Sequence, residues 1–154
     1  MTRGFDVVET CIADLRAALE KGETTAVALL DAYLARIDAY DRPGTATALN
    51  AMVVMNPDAR AEAEASDARR ARGETLGPLD GIPYTAKDSY LSQGLTAAAG
   101  SPAFEHLVAQ RDAFAIERLR AGGAIAGDRT HWSSQPASWD HAQESRAAPS
   151  RYSQ

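Results

Sequence analysis

Residues 77–90, GPLDGIPYTAKDSY, place one lysine, Lys87, in a run of glycine, proline and small apolar residues. No residue from Ile82 to Ala86 is charged, so the segment has the composition of a short strand that ends on a cation. Such a lysine has two readings. In the ordinary one, its aliphatic stem lies along apolar surface while the ammonium group reaches water. In the other, burial disfavours the ammonium form, and the neutral amine takes a proton from a serine hydroxyl to make a nucleophile. The flanking glycines and prolines allow close backbone approach and a rigid setting, which the second reading requires. Residue chemistry alone leaves both open.

Upstream, residues 5–20 are expected to be helical, with Val8, Cys11, Ile12, Leu15 and Leu19 on one face and Gly22 as the stop. This puts Cys11 in the core as filler. Thr24 or Thr25 is expected to cap a second helix whose apolar stripe is Val27, Leu30, Leu34 and Ile37. The stretch DRPGT, 41–45, reads as a turn, and AMVVM, 51–55, as a short strand. Asn56 and Pro57 have the pattern of a helix cap and first helical residue. The helix they open, DARAEAEASDARRARG, is rich in alanine and charge, so its charges read as a solvated face, with Gly73 as the stop.

Downstream, residues 77–101 read as a loop, a short strand near Ile82–Ala86 and a second loop of small residues. Asp112 is expected to cap the helix DAFAIERLRAGG, and AIA at 124–126 to open a buried strand, a helix-to-strand step of the α/β kind. From Ala126 to Gln154 there is no Val, Ile, Leu, Met or Phe. Such a tail buries too little apolar area to offset the entropy of ordering it, so it is expected to be largely disordered.

Bulk properties narrow the function. The 154 residues suit one domain, and a net charge of -5 offers no basic patch for nucleic acid. The N-terminus lacks an apolar signal core, and no segment approaches the roughly 18 apolar residues of a membrane span. With Cys11 alone there is no internal disulfide, which fits a cytoplasmic, reducing setting. His131 and His141 lie ten residues apart without Cys or Glu at ligand spacing, so a metal site is not expected. Phosphate-binding glycine loops and a G-x-S-x-G elbow are absent, and His106 reads as a surface histidine.

The segments GPLDGIP at 77–83, KD at 87–88, GS at 100–101 and DAFAIERLRAGGAI at 112–125 together resemble the amidase signature hydrolases. LNAMVVMNPDARAEA, 49–63, is similar to that family's strand–helix step before the lysine, and the resemblance runs over about residues 7–131. It implies an α/β chain holding the N-terminal portion of the amidase signature fold, a mixed sheet with flanking helices. It divides the chain into a helical arm (1–40), a partial α/β domain (41–126) and a polar tail (127–154).

The activity implied is hydrolysis of carboxylic amides by a Ser-cisSer-Lys triad, without metal or organic cofactor, on a small-molecule amide substrate. Lys87 would be the general acid/base, acting through a bridging serine on a nucleophilic serine, with backbone N–H groups for the oxyanion. The glycine-rich blocks that carry the two serines in that family have no counterpart here. Ser101, Ser133 and Ser134 lack the glycine flanks, and neither serine role passes to them. The sequence is therefore expected to be a truncated or frame-shifted fragment, inactive alone. Two alternatives stand beside this reading: a non-catalytic helical interaction module using Val27, Leu30, Leu34 and Ile37, and a fragment of the A-type component of an aminoacyl-tRNA amidotransferase.

Overall fold

A computed structural model describes residues 5–41, 44–47 and 51–130. Helix α1 (Ile12–Lys21) ends at Gly22, whose left-handed φ of 70° lets its N–H turn back onto Leu19. Helix α2 (Ala26–Tyr40) starts at Thr25, whose hydroxyl accepts from Ala28 N–H at 3.1 Å. A second acceptor serves the same end: the Asp67 carboxylate takes the N–H groups of Ala26 (2.7 Å) and Val27 (3.1 Å). A carboxylate is favoured there because the first-turn donors have no partners inside the helix. At the other end, Asp41 accepts from Ala51 and Met52 N–H, both at 2.9 Å, and so ties the end of α2 to strand β1 (Met52–Met55).

Helix α3 (Ala59–Ala71), strand β2 (Pro83–Lys87), helix α4 (Phe114–Ala121) and strand β3 (Ile125–Thr130) complete the order, with a 3₁₀ turn at Pro102–Phe104. The sheet is mixed and three-stranded, in the order β1-β3-β2. β3 is central, antiparallel to β1 and parallel to β2. One apolar cluster joins Leu15 and Leu19 to Leu29 and Ile82, and a second joins Ala26 and Leu30 to Ala59, Ala63 and Ile125. Each fully buried leucine contributes on the order of 2 kcal/mol. The alanines let α2, α3 and β3 approach closely.

α3 carries too little apolar surface to hold itself by burial, and polar bonds do that work. The Asp80 side chain has no exposure. It accepts from Ser66 Oγ (2.8 Å), Arg69 Nη2 (2.8 Å) and Leu76 N–H (2.9 Å), while Arg70 donates to the Asp80 carbonyl at 2.7 Å. Burial raises the pKa of this carboxyl, but Arg69, Leu76 N–H and Ser66 outweigh it and hold the group below its ordinary value. Gly123, at φ +86°, packs its Cα against the same residue; a Cβ there would lie 2.6 Å from Asp80 Cα. Gly81 N–H donates to Gly123 C=O at 3.1 Å, and Ile125 N–H to Ile82 C=O at 3.0 Å, which aligns β2 with β3.

Several expectations are corrected. The first helix begins at Ile12, not residue 5: Asp6 accepts from Val8 N–H and Thr10 Oγ1 donates to the Asp6 carbonyl, local bonds that compete with helix. Val8 and Ile12 are exposed, and so is Cys11, which is not core filler. Asn56 does not cap α3. It forms a turn to Asp58 N–H (3.0 Å), and its amide reaches the Ala126 carbonyl (2.6 Å). Asp112 does not cap α4, whose cap is Ala113. The charges of α3 are not simply solvated, since Glu62, Asp67, Arg69 and Arg70 all bond other elements. β3 runs on to Thr130, past the point where the sequence ceases to read as a strand. Of the tail expected to be disordered, 127–130 instead form part of β3, and 131–154 lie outside the described residues, with His131, His141, Ser133 and Ser134.

Because the folded Asp80 carboxyl lies below its unfolded value of about 3.9, its contribution to stability is complete above that range. It is lost as pH falls through the folded value. Asp80→Asn is expected to lower stability at pH 7 by about 2–3 kcal/mol and to shrink the difference between pH 7 and pH 3, as read by urea denaturation. At Gly73, where φ is +72° and an added Cβ meets nothing within 4 Å, alanine should cost about 1–2 kcal/mol. Gly123→Ala should cost clearly more in the same assay, because its Cβ has no space; equal losses would contradict the packing described.

Candidate active site at the carboxyl edge of the sheet

β2 and β3 run parallel, so their carboxyl ends emerge on one edge, where open α/β sheets place ligands. Lys87 is the last residue of β2 and pairs in register with Thr130, the last of β3. The chain turns sharply after it, with Tyr90 N–H donating to the Lys87 carbonyl at 2.9 Å. Lys87 is exposed, in contrast to the buried setting that one sequence reading gave it, while the adjacent Asp88 is 1% exposed. Alternation along a strand accounts for the pair: successive side chains leave opposite faces of the sheet. Nothing in the motif distinguished Asp88 from a second solvated charge.

From Ser89 to Ala113 the chain folds on itself as a strap. Its base is closed by Ala113 N–H to Leu91 C=O (2.8 Å). Gly94 N–H to Ala109 C=O (3.0 Å) and Ala97 N–H to Leu107 C=O (2.8 Å) pair its two arms. Ser101 lies at its tip, half-buried, as the cap of the 3₁₀ turn. Asp112 accepts from Gln93 N–H at 2.6 Å and faces Arg120 Nε at 3.1 Å. Arg120 went unnoticed in the sequence because a helix-terminal arginine is ordinarily a solvated charge.

Two cavities accompany these elements, and neither is lined by Lys87. One, of about 580 Å³, lies at the base of the strap, among Leu91, Gln93, Arg111, Asp112, Ala113, Phe114 and Glu117. The other, of about 460 Å³, lies between α2 and the sheet and includes Tyr33, Leu34, Ile37, Met52 and Tyr84. Burial raises the pKa of the Tyr33 hydroxyl there, with Arg36 opposing. The stripe of the second helix is engaged by this chain's own core: Leu30 is buried, and Val27 and Leu34 pack against its cluster. His106 is exposed, its Nε2 3.1 Å from Glu105. Among the described residues no three His, Cys, Asp or Glu side chains are grouped to hold a metal ion, and no helix is long and apolar enough to cross a membrane.

Comparison with known proteins gives this geometry a family. The amidase family model matches residues 28–142, starting inside α2 and ending beyond residue 131. The A-type component of the glutamyl-tRNA(Gln) amidotransferase of Thioalkalivibrio sulfidiphilus is 41% identical over 116 residues, covering 75% of this chain and 23% of the relative. That of Roseiflexus sp. is 43% identical over 115 residues, covering 74% and 22%. Among solved structures, the native peptide amidase of Stenotrophomonas maltophilia superposes with a TM-score of 0.75 at 40% identity, over 80% of this chain and 25% of that one. A peptide amidase bound to the competitive inhibitor chymostatin gives 0.76 at 40% identity, over 82% and 25%. The chain spans about a quarter of the length of these relatives. With its α/β fold and mixed sheet in place, and with the family model matched over most of its length, the chain belongs to the amidase signature family.

Proposed function

We propose that this chain contributes the lysine of an amide-hydrolysing site. The observation that carries the reading is the place of Lys87, on the carboxyl edge of a parallel strand pair within an amidase signature fold. In this reading Lys87 relays a proton through a bridging serine to and from a second, nucleophilic serine. That serine attacks the amide carbonyl, the amine leaves carrying the relayed proton, and water then releases the carboxylate from the acyl-enzyme. Neither of the glycine-rich blocks that carry these serines in the family has a counterpart in this sequence. Its substrate is a carboxylic amide, the class named in peptide amidase. The exposed, unbridged Cys11 supports a cytoplasmic setting.

A second reading, in which the chain is part of an aminoacyl-tRNA amidotransferase, draws on the amidotransferase relatives. The net charge of -5 gives no support to direct contact between this segment and a tRNA backbone.

The 154 residues alone should hydrolyse no peptide amide above the uncatalysed rate. Grafted in place of the equivalent quarter of the Stenotrophomonas peptide amidase, residues 5–130 should restore hydrolysis. Lys87→Ala in that chimera should then remove on the order of 10⁴–10⁶ of the rate. As Lys87 is exposed, the substitution should shift the melting midpoint little. A folded chimera whose activity survives Lys87→Ala contradicts the assignment.

A further inference from the structure

The strap, residues 89–113, is attached to the body in an unusual way. It follows directly on Lys87 and Asp88, so it borders the edge that the proposed function uses. Its buried residues are Ser92, Ala97, Ala98 and Ala109. Its larger apolar side chains Leu91, Phe104, Leu107 and Val108 are exposed. Three alanines bury little apolar area, so hydrophobic burial cannot supply most of the attachment.

Arg120, on the last turn of α4, supplies a polar one. Its Nε lies 3.1 Å from Asp112 Oδ2 at the end of the strap, and its Nη2 donates to Ser92 Oγ near the beginning at 3.3 Å. Its Nη1 lies 3.4 Å from Glu62 Oε1 on α3. Glu62 is itself fixed to the sheet, accepting from Ala126 N–H at 3.3 Å and from the Asn56 amide at 3.3 Å. One guanidinium therefore closes both ends of the strap and joins them to the body. Nη1 and Nη2 donate hydrogen bonds to Glu62 and Ser92, while Asp112 is held by charge alone, since Nε makes no hydrogen bond; an ammonium offers a single point of charge.

We propose that Arg120 is the latch of a strap that opens as a unit, independently of the sheet. Opening breaks the strap's internal bonds together, so its amides exchange as one group. Segments held by few apolar contacts and a small number of polar ties open at lower free energy than the core they rest on. The latch does not rest on the amidase reading of Lys87.

Amide hydrogen exchange of the full chain separates the possibilities. Two sets of backbone donors are compared: Ala97, Ala109 and Ala113 in the strap, and Gly81 and Ile125 in the β2–β3 core. In Arg120→Gln the strap set should exchange about tenfold faster while the core set changes by less than about twofold. Arg120→Lys should fall between the two, because lysine keeps the charge and loses the fork. If Arg120→Gln does not fold, Asp112→Asn removes the ion pair to the strap and leaves the Arg120–Glu62 pair, with the same pattern expected. An unchanged strap set, or equal acceleration of both sets, overturns the latch. Loss of the Lys87 assignment in the chimera would leave this outcome untouched.

Discussion

A single carboxylate, that of Asp80, sits where three other parts of this molecule meet it. Ser66 and Arg69 reach it from α3, Leu76 N–H from the segment after α3, and Gly123 closes over it from the turn before β3. Without partners a buried carboxylate is costly, and here every approach is filled by a donor or by the bare Cα of a glycine. The requirement at Gly123 is twofold: a positive φ and no Cβ. Both serve to bring the β3 strand down beside β2 at a fixed height. The strand that ends at Lys87 therefore takes its position from a residue seven places earlier.

The same logic recurs away from Asp80. α3 is largely alanine and charge, and its packing against α2 and β3 rests on small residues such as Ala59 and Ala63. Small side chains allow close approach but bury little area, so direction and register come from polar ties. Asp67 fixes the start of α2, Asp41 fixes its end to β1, and Glu62 fixes α3 to β3. A body of this kind is held at discrete points. Polar ties specify geometry well, and losing one partner costs more than the bond itself gains.

Much of the fold was legible in the sequence, and the reasons are local. Thr25 caps α2 as expected because its hydroxyl sits at the first turn of a clear 3.6-residue pattern. Gly22 and Gly73 end helices because both adopt positive φ. A short strand near Ile82–Ala86, one residue from the observed Pro83–Lys87, and the strand and helix before it followed from residue pattern. What could not be read depended on distant partners. Asn56 and Asp112 have the residue types of caps, yet Asn56 serves the Ala126 carbonyl and Asp112 serves Gln93 N–H and Arg120. The charges of α3 looked solvated because a one-dimensional pattern does not show that Asp80 and α2 lie within reach. At the candidate site the motif singles out Lys87, whereas the burial of Asp88 beside it and the contacts of Arg120 appear only in three dimensions.

That Lys87 stands on a strand locked from below by Asp80 is the claim on which the functional reading depends, since a proton-transfer group needs a fixed origin. The most direct measurement is the denaturant dependence of exchange at Gly81 and Ile125 N–H, two amides whose bonds tie the starts of β2 and β3 together beside Asp80. Both should be among the slowest in the chain and exchange only through global unfolding, with a slope on denaturant equal to that of the whole molecule. Exchange at either amide by local opening, insensitive to denaturant and as fast as in the strap, would contradict the lock.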